Sequence, residues 1–464
     1  MPEQDLSTSP RAVWRLTWPQ MLMMYFVFFS GLTIVWTAGQ IDAGVQAALG
    51  MVTHTGMFLM VVVMALSSGA TAAVSQSFGA RKQRRARRYV CATVLGSAGL
   101  GLIMALAGAR FGDEILRLLL VPESIVPIAR ELWLAAMFAL PAQYLYSSTA
   151  VVFRAARQVM PPLWVAALTC LVNLLACLGF GLGRFGLPDC GYMGLAWTNV
   201  GVQCLGAACN CWLLRRSGYL RFRDWPDVRW LRKGLPYLAG VSLPAGAASL
   251  VWQSGYLTLF VLVASLPQDS VNALAGLTAG QRTEALLFLP GMAFNMSVAV
   301  LVGNCLGAGR PDEAKRVALN LVALGTAAMS LIAALLWFFR PELARMLSHN
   351  PGTQAQIVSY LNYNLLSTPF SIASTIMGGI MVGAGATRYN LAVFGGTFWL
   401  VRLPLGWLLG HALWGTSSGV FLAMLLSQCL QAGIMLHVVL RRDWARFAMR
   451  GRKHAQLTNP PRSA

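Results

Sequence analysis

The stretch SQSFGARKQRRARR at residues 75–88 returns as GNCLGAGRPDEAKR at 303–316, each closing a long apolar run with Gly-Ala and a basic cluster. Pro19 stands near the start of the first apolar run as Pro244 does in the seventh. VQAALG at 45–50 answers VNALAG at 271–276, and Pro141 answers Pro369. The spacing stays between 225 and 228 residues over half the chain, so the two halves must fold alike. Any architecture open to this chain has to be built twice.

Apolar runs also fix the solvent. Of 464 residues, 56% are hydrophobic and 11% charged, where a soluble domain carries about a quarter charged residues. A helix needs about 20 apolar residues to cross a bilayer. Twelve such spans are expected, near 18–38, 47–78, 89–110, 131–153, 160–182, 191–214, 236–265, 271–306, 317–339, 357–383, 390–410 and 417–440. The expected fold is an all-α polytopic membrane protein of two pseudo-symmetric six-helix bundles. With an even number of crossings each, the halves enter from the same side and are parallel repeats. Paired halves of this kind in a membrane chain point to a transporter.

The net charge of +20 would suit nucleic acid if it lay on one face, but the basic residues sit between the apolar runs. With both termini inside, the inner segments hold 28 Lys and Arg and the outer ones six, leaving Arg282 and Arg402 within spans. That asymmetry obeys the positive-inside rule and predicts cytoplasmic termini in a bacterial inner membrane. No nucleic-acid partner is expected. The boundaries follow: an N-terminal segment at 1–17, bundles at 18–214 and 236–440, a polar linker at 215–235 and a basic tail at 441–464. The tail, with Trp444 and Phe447, reads as a juxtamembrane segment resting on anionic lipid. Residues 1–17 hold no short apolar core with a cleavage site, so no secretory signal is expected. Segments 111–129 and 339–357 occupy equivalent outer positions and read as short amphipathic helices. The nine cysteines, mostly within spans, read as small apolar residues.

No Walker A loop, no HExxH and no Cys or His pair at metal-ligand spacing occurs. Neither a cofactor nor enzymatic chemistry is expected, and a lone His54 in the second span reads as structural. Among sixteen acidic residues, Glu284 in AGQRTEALLFLP is the one well inside an apolar run. An ionisable group there is expensive and is by default a functional candidate. Removal from water favours the protonated carboxyl, so Glu284 is the expected ion-coupling residue, with Asp42, just beyond the first span, as a second carboxyl. Its repeat-equivalent positions are Gly56 to Phe58, so the carboxyl breaks the internal symmetry. Arg282, two residues away, points to another face of the helix; Arg402 in WLVRLPLG is the expected cross-helix partner. Trp252, Gln253 and Tyr256 on the seventh span lie within about one turn and suit a cavity for flat, lipophilic cations. Gln281, Arg282, Asn295 and Arg402 complete the candidate cavity set.

The chain resembles the multidrug and toxic compound extrusion (MATE) family of cation-coupled antiporters over essentially all twelve spans. The resemblance rests on Pro19 and Ala47-Ala48-Leu49-Gly50, on SQSFGA and VGNCLGAGRPDEAKR, and on FRAARQVMPPL with MVGAGATRYN. LVNLLACLGFGLG with GYMGLAW, and RLPLGWLLG with GTSSGVFLA, add the last helix pairs of each half. The resemblance implies a monomeric secondary antiporter that exports amphipathic, cationic organic compounds in exchange for protons or sodium ions. A flippase for lipid-linked saccharides is the alternative within the same superfamily. Family members often place an acidic residue about five before a glycine in the first span, where Ile34 precedes Gly39 here. Glu in the seventh span is replaced by Trp252-Gln253, and PFSIASTIMGG in the tenth offers no Asp. Sodium coordination is therefore a poor fit, and proton coupling through Glu284 the simpler expectation.

Overall fold

A computed structural model describes residues 9–118, 123, 125–221 and 224–449. Residues 1–8 of the N-terminal segment and the tail beyond 449 lie outside them. The described residues form twelve long helices and two short ones, with no strand. The first half holds α1 (Pro10–Ile41), α2 (Ala43–Gly79), α3 (Gln83–Arg110), the short α4 (Gly112–Leu118), α5 (Val126–Ala155), α6 (Met160–Leu182) and α7 (Gly191–Arg216). The second holds α8 (Val228–Ala264), α9 (Ser270–Gly307), α10 (Pro311–Phe338), the short α11 (Arg340–Leu347), α12 (Pro351–Ala384), α13 (Thr387–Leu413) and α14 (Ser417–Arg441). Ten of the long helices are apolar enough over 18 residues to cross a membrane. The other two, α5 and α7, pack among them.

Each expected span falls on one long helix to within a residue, and most helices overrun the apolar runs because the pattern marks only the part that meets hydrocarbon. The largest overruns are at the starts of α1 and α8. The first turns of α8, Val228 onward, fall within the stretch expected as linker, where VRWLRKG carries no proline. There Trp230 packs edge-on to Tyr89, with ring centroids 4.8 Å apart. The short α4 and α11 fall within the two expected segments, 111–129 and 339–357.

The duplication extends to single hydrogen bonds. After α2, the amides of Ala80, Arg81 and Lys82 bond back to Gln76, Phe78 and Ser77; after α9, those of Ala308, Gly309 and Arg310 bond back to Asn304, Leu306 and Cys305. Both turns need one left-handed residue, which is Arg81 at φ 55° in the first and Gly309 at φ 75° in the second. The turns after α5 and α12 repeat the pattern with Arg157 at φ 58° and Gly385 at φ 79°. Glycine takes this conformation without the Cβ clash that an arginine meets.

The bundles meet where the basic segments lie, on the face that carries both termini. Gly79 of α2 packs on the backbone of Asn304, and Gly307 of α9 packs on the backbone of Gln76. These are repeat-equivalent contacts, so α2 and α9 cross about the pseudo-two-fold axis, and neither glycine leaves room for a Cβ. Thr17 Oγ1 and Gln20 Nε2 of α1 each donate to Ser297 Oγ of α9 at 3.0 Å. Gln76 Nε2 donates to the Gly383 carbonyl of α12 at 2.8 Å.

Residues 444–449 then cross this face as a strap. Trp444 is buried in the second bundle and donates to the Val439 carbonyl at 3.1 Å, and Phe447 packs edge-on to Tyr389. The Met449 amide donates to Gln76 Oε1 at 2.8 Å, and the Tyr89 hydroxyl lies 3.6 Å from Met449 Sδ. In this part of the tail Trp444 is buried against the second bundle and Phe447 is half-buried.

Gly307→Val should lower stability by about 1–3 kcal/mol, the usual effect of overpacking a close contact, and part the α2–α9 crossing. Spin labels at Gln83 and Arg316 should report a longer separation in the variant, with Gly240→Ala, where an added Cβ meets open space, as a control outside the crossing.

Candidate functional site

The interior of the second bundle carries a polar and aromatic cluster assembled from five helices. Glu284 stands on α9, about 35 Å along the helix from Gly307, and is half-buried. Its carboxylate accepts a hydrogen bond from the Tyr360 hydroxyl of α12. Asn364, one turn on, donates to the Tyr360 oxygen at 3.3 Å, so Tyr360 is held from both sides. The Tyr360 ring packs edge-on to Phe421 of α14 at 5.2 Å.

Arg402 of α13 is 1% exposed. Its Nε donates to Ser427 Oγ of α14 at 2.9 Å, and its guanidinium lies 4.3 Å from the Phe398 ring centroid and 5.8 Å from that of Trp252. Tyr256 of α8 faces the same guanidinium with its hydroxyl. Trp252, Tyr256 and Phe398 pack on one another with centroids 5.2–5.4 Å apart. Ring faces attract a desolvated cation, so three aromatics and a serine form a cage around this charge. The backbone of α13 is wound as π-helix over 391–395 and 397–402, a local widening often found at functional sites. It sets both Phe398 and Arg402 inward. Arg402 Nη1 and Asn364 Oδ1 are buried here without a hydrogen-bond partner, as are Gln281 Nε2 elsewhere on α9 and Gln428 Oε1 on α14.

The expected Glu284–Arg402 ion pair does not form. Among the described residues no ion pair includes either group, and both act electrostatically on Tyr256 and Tyr360. The tyrosines intervene because they project from α8 and α12, the helices packed between α9 and α13 in this interior.

The other candidates fall elsewhere. Asn295 is used in packing, donating to the Thr375 carbonyl at 2.6 Å. Asp42 is exposed and caps α2, accepting from the Gly44 amide at 2.7 Å. Arg282 is exposed, pointing away from Glu284 as its two-residue offset requires, and Gln253 is half-buried beside Trp252. Four of the candidates, Trp252, Tyr256, Glu284 and Arg402, are thus brought together. Tyr360, Phe398 and Ser427 were not singled out in the sequence. Aromatic and hydroxyl residues are common in apolar spans, and only the facing helix reveals their use.

A family model described as MatE matches residues 19–178 and again 244–408, one copy per half. The chain belongs to the MatE family. Its relatives include a probable multidrug resistance protein NorM of Bradyrhizobium diazoefficiens, 28% identical over 454 residues that span 94% of each chain. The multidrug resistance protein PmpM of Pseudomonas aeruginosa is 27% identical over 427 residues, 88% of this chain and 85% of that one. Among solved structures, a mutant of the Vibrio cholerae MATE transporter VcmN superposes with a TM-score of 0.86 at 19% identity, covering 94% of this chain and 98% of the other. The fold is that of a MATE transporter, a multi-pass membrane protein of two repeats.

In this MatE protein, Tyr360→Phe removes the donor to the Glu284 carboxylate. Thermal unfolding in detergent should show a loss of about 1–3 kcal/mol, the range for a hydrogen bond to a charged group and the desolvation it leaves behind.

Proposed function

We propose that this MatE protein is a secondary antiporter that exports amphipathic, cationic organic compounds across a bacterial inner membrane in exchange for protons. Glu284 takes up and releases the coupling proton. The observation that carries this reading is the placement of Glu284: a half-buried carboxyl, deep along a membrane helix, held by Tyr360 at the edge of an aromatic cage. The relatives named for multidrug resistance support the substrate class. With Arg402 already a cation in the cluster, and no second carboxylate beside Glu284, a proton fits the site better than a sodium ion, which needs several oxygen ligands with compensating charge.

The 28 to six distribution of Lys and Arg supports cytoplasmic termini. In that orientation the α2–α9 crossing and the strap close the cytoplasmic side, and the conformation is outward-facing. Transport then proceeds by rocking one bundle against the other around the crossing. The protein works as a monomer, since each chain holds both repeats.

Two measurements test this. Cysteines placed at Gln83 and Ser217 should be shielded from an impermeant thiol reagent added outside intact cells, while one at Gln268 should react. Labelling of all three from outside would reverse the topology. In proteoliposomes, an imposed proton gradient should drive export and an imposed sodium gradient should not. Glu284→Gln should insert normally yet lose gradient-driven export at least tenfold, and Glu284→Asp should retain part of it with a displaced pH optimum. Wild-type rates from a well-folded Glu284→Gln protein would remove this residue from the mechanism.

A further inference from the structure

The two repeats end differently. Three residues past α7, Tyr219 is buried in the first bundle beside Phe78 and Phe153; three residues past α14, Trp444 is buried in the second. From there the equivalence breaks. The described chain after Tyr219 stays on its own bundle, where the Arg221 carbonyl accepts from the Cys91 thiol of α3 and Asp224 pairs with Arg87 at 3.3 Å. The chain after Trp444 crosses instead to Gln76 and Tyr89 of the first bundle.

The amides at the crossing are unequal in the same way. Gln76 and Asn304 each stand three residues before a crossing glycine, and both are 1% exposed. Gln76 uses both ends of its amide, Nε2 on the Gly383 carbonyl and Oε1 on the Met449 amide. Asn304 Nδ2 donates within its own helix, to the Val300 carbonyl, and its Oδ1 has no hydrogen-bond partner. Of two repeat-equivalent end segments, the strap is thus the one whose described residues span the seam between the bundles.

Its two ends are held unequally. On the second bundle the strap is anchored by the buried Trp444 indole and by Phe447 against Tyr389. Its hold on the first is the backbone hydrogen bond to Gln76 and the half-buried Met449 side chain. One hydrogen bond contributes little net, because water takes the partner's place when it opens. The weak end is therefore the one that must part when the bundles separate on this face. We infer that the strap is a reversible latch: Met449 leaves Gln76 when the terminal face opens and returns when it closes, while Trp444 stays seated on the second bundle. The latch biases the protein toward the conformation with this face closed. This inference rests on the reading that the bundles rock about the α2–α9 crossing, but it can be followed without a substrate, an ion gradient or a known orientation.

Two native cysteines report on it. Cys305 is buried in the core that Val13, Leu16 and Val159 of the first bundle share with the second, so separation on this face uncovers it. Cys177 is buried among first-bundle residues alone. Full-length protein in lipid nanodiscs is treated with N-ethylmaleimide, and the labelling rate of each thiol is read by mass spectrometry. Met449→Pro removes the amide donor, and the extended Ala448 before it, at φ −65° and ψ 151°, already has the conformation that a following proline requires. Cys305 should then react about fivefold faster than in the wild type, the change expected from losing one net hydrogen bond, with Cys177 unchanged. Met449→Leu, which keeps the amide, should label as the wild type does. An unchanged Cys305 rate in Met449→Pro would overturn the latch. So would equal acceleration of Cys305 and Cys177, the mark of general loosening, or equal acceleration of Cys305 by Leu and Pro. Should Met449→Pro not accumulate as folded protein, Trp444→Ala releases the other end of the strap and is judged by the same two thiols. A Glu284→Gln protein that keeps gradient-driven export would count against the proton reading alone and leave the latch standing.

Discussion

Everything on the terminal face depends on the approach of two backbones. Where α2 crosses α9, Gly79 rests on Asn304 and Gly307 on Gln76, so the same contact is made twice about one axis. Only a residue without a Cβ permits it, and only an internal repeat supplies the glycine on both sides at once. The hydrogen bonds from Thr17, Gln20 and Gln76 to the second bundle are short because the crossing has already brought the helices together. A symmetric crossing also makes a suitable pivot, since neither bundle is favoured as the moving part.

The frame is symmetric while the chemistry is not. Glu284 corresponds to the stretch from Gly56 to Phe58, and aligning RLPLGWLLG with LACLGFGLG sets Arg402 against Leu175. Aligning Pro369 with Pro141 sets Tyr360 against Leu132, a buried core residue of the first bundle. At these positions the first half carries apolar side chains where the second carries a carboxylate, a guanidinium and a tyrosine, and of the apolar ones Leu132 is buried while Met57, Phe58 and Leu175 are exposed.

Much of this was legible in the chain. The count of spans, the halving of the fold and the two short outer helices follow from hydropathy and from a repeat that never drifts by more than a few residues. Glu284 stood out because a carboxylate in hydrocarbon is costly wherever its helix faces. What could not be read was who faces whom. Arg402 seemed the natural partner of Glu284 because both are charges in spans, yet Tyr256 and Tyr360 occupy the interval. The π-winding of α13 has no signature in WLVRLPLG, since it arises from packing rather than from local preference. Trp444, expected with the tail against lipid, is buried in the second bundle, and Trp230 packs on Tyr89 at the start of α8.

The strap has a consequence for biogenesis. Its contacts with Gln76 and Tyr89 join residues separated by 373 and 360 positions, so helices made early wait for a segment made after α14. Both six-helix units can enter the bilayer and pack while translation continues, but Gln76 Oε1 gains its backbone donor only when Met449 has been released. Synthesis of the strap is thereby registered as closure of one face. A ribosome stalled within α14 would leave a chain that spans the membrane with that face unfastened, distinguishable by its shape from the finished transporter.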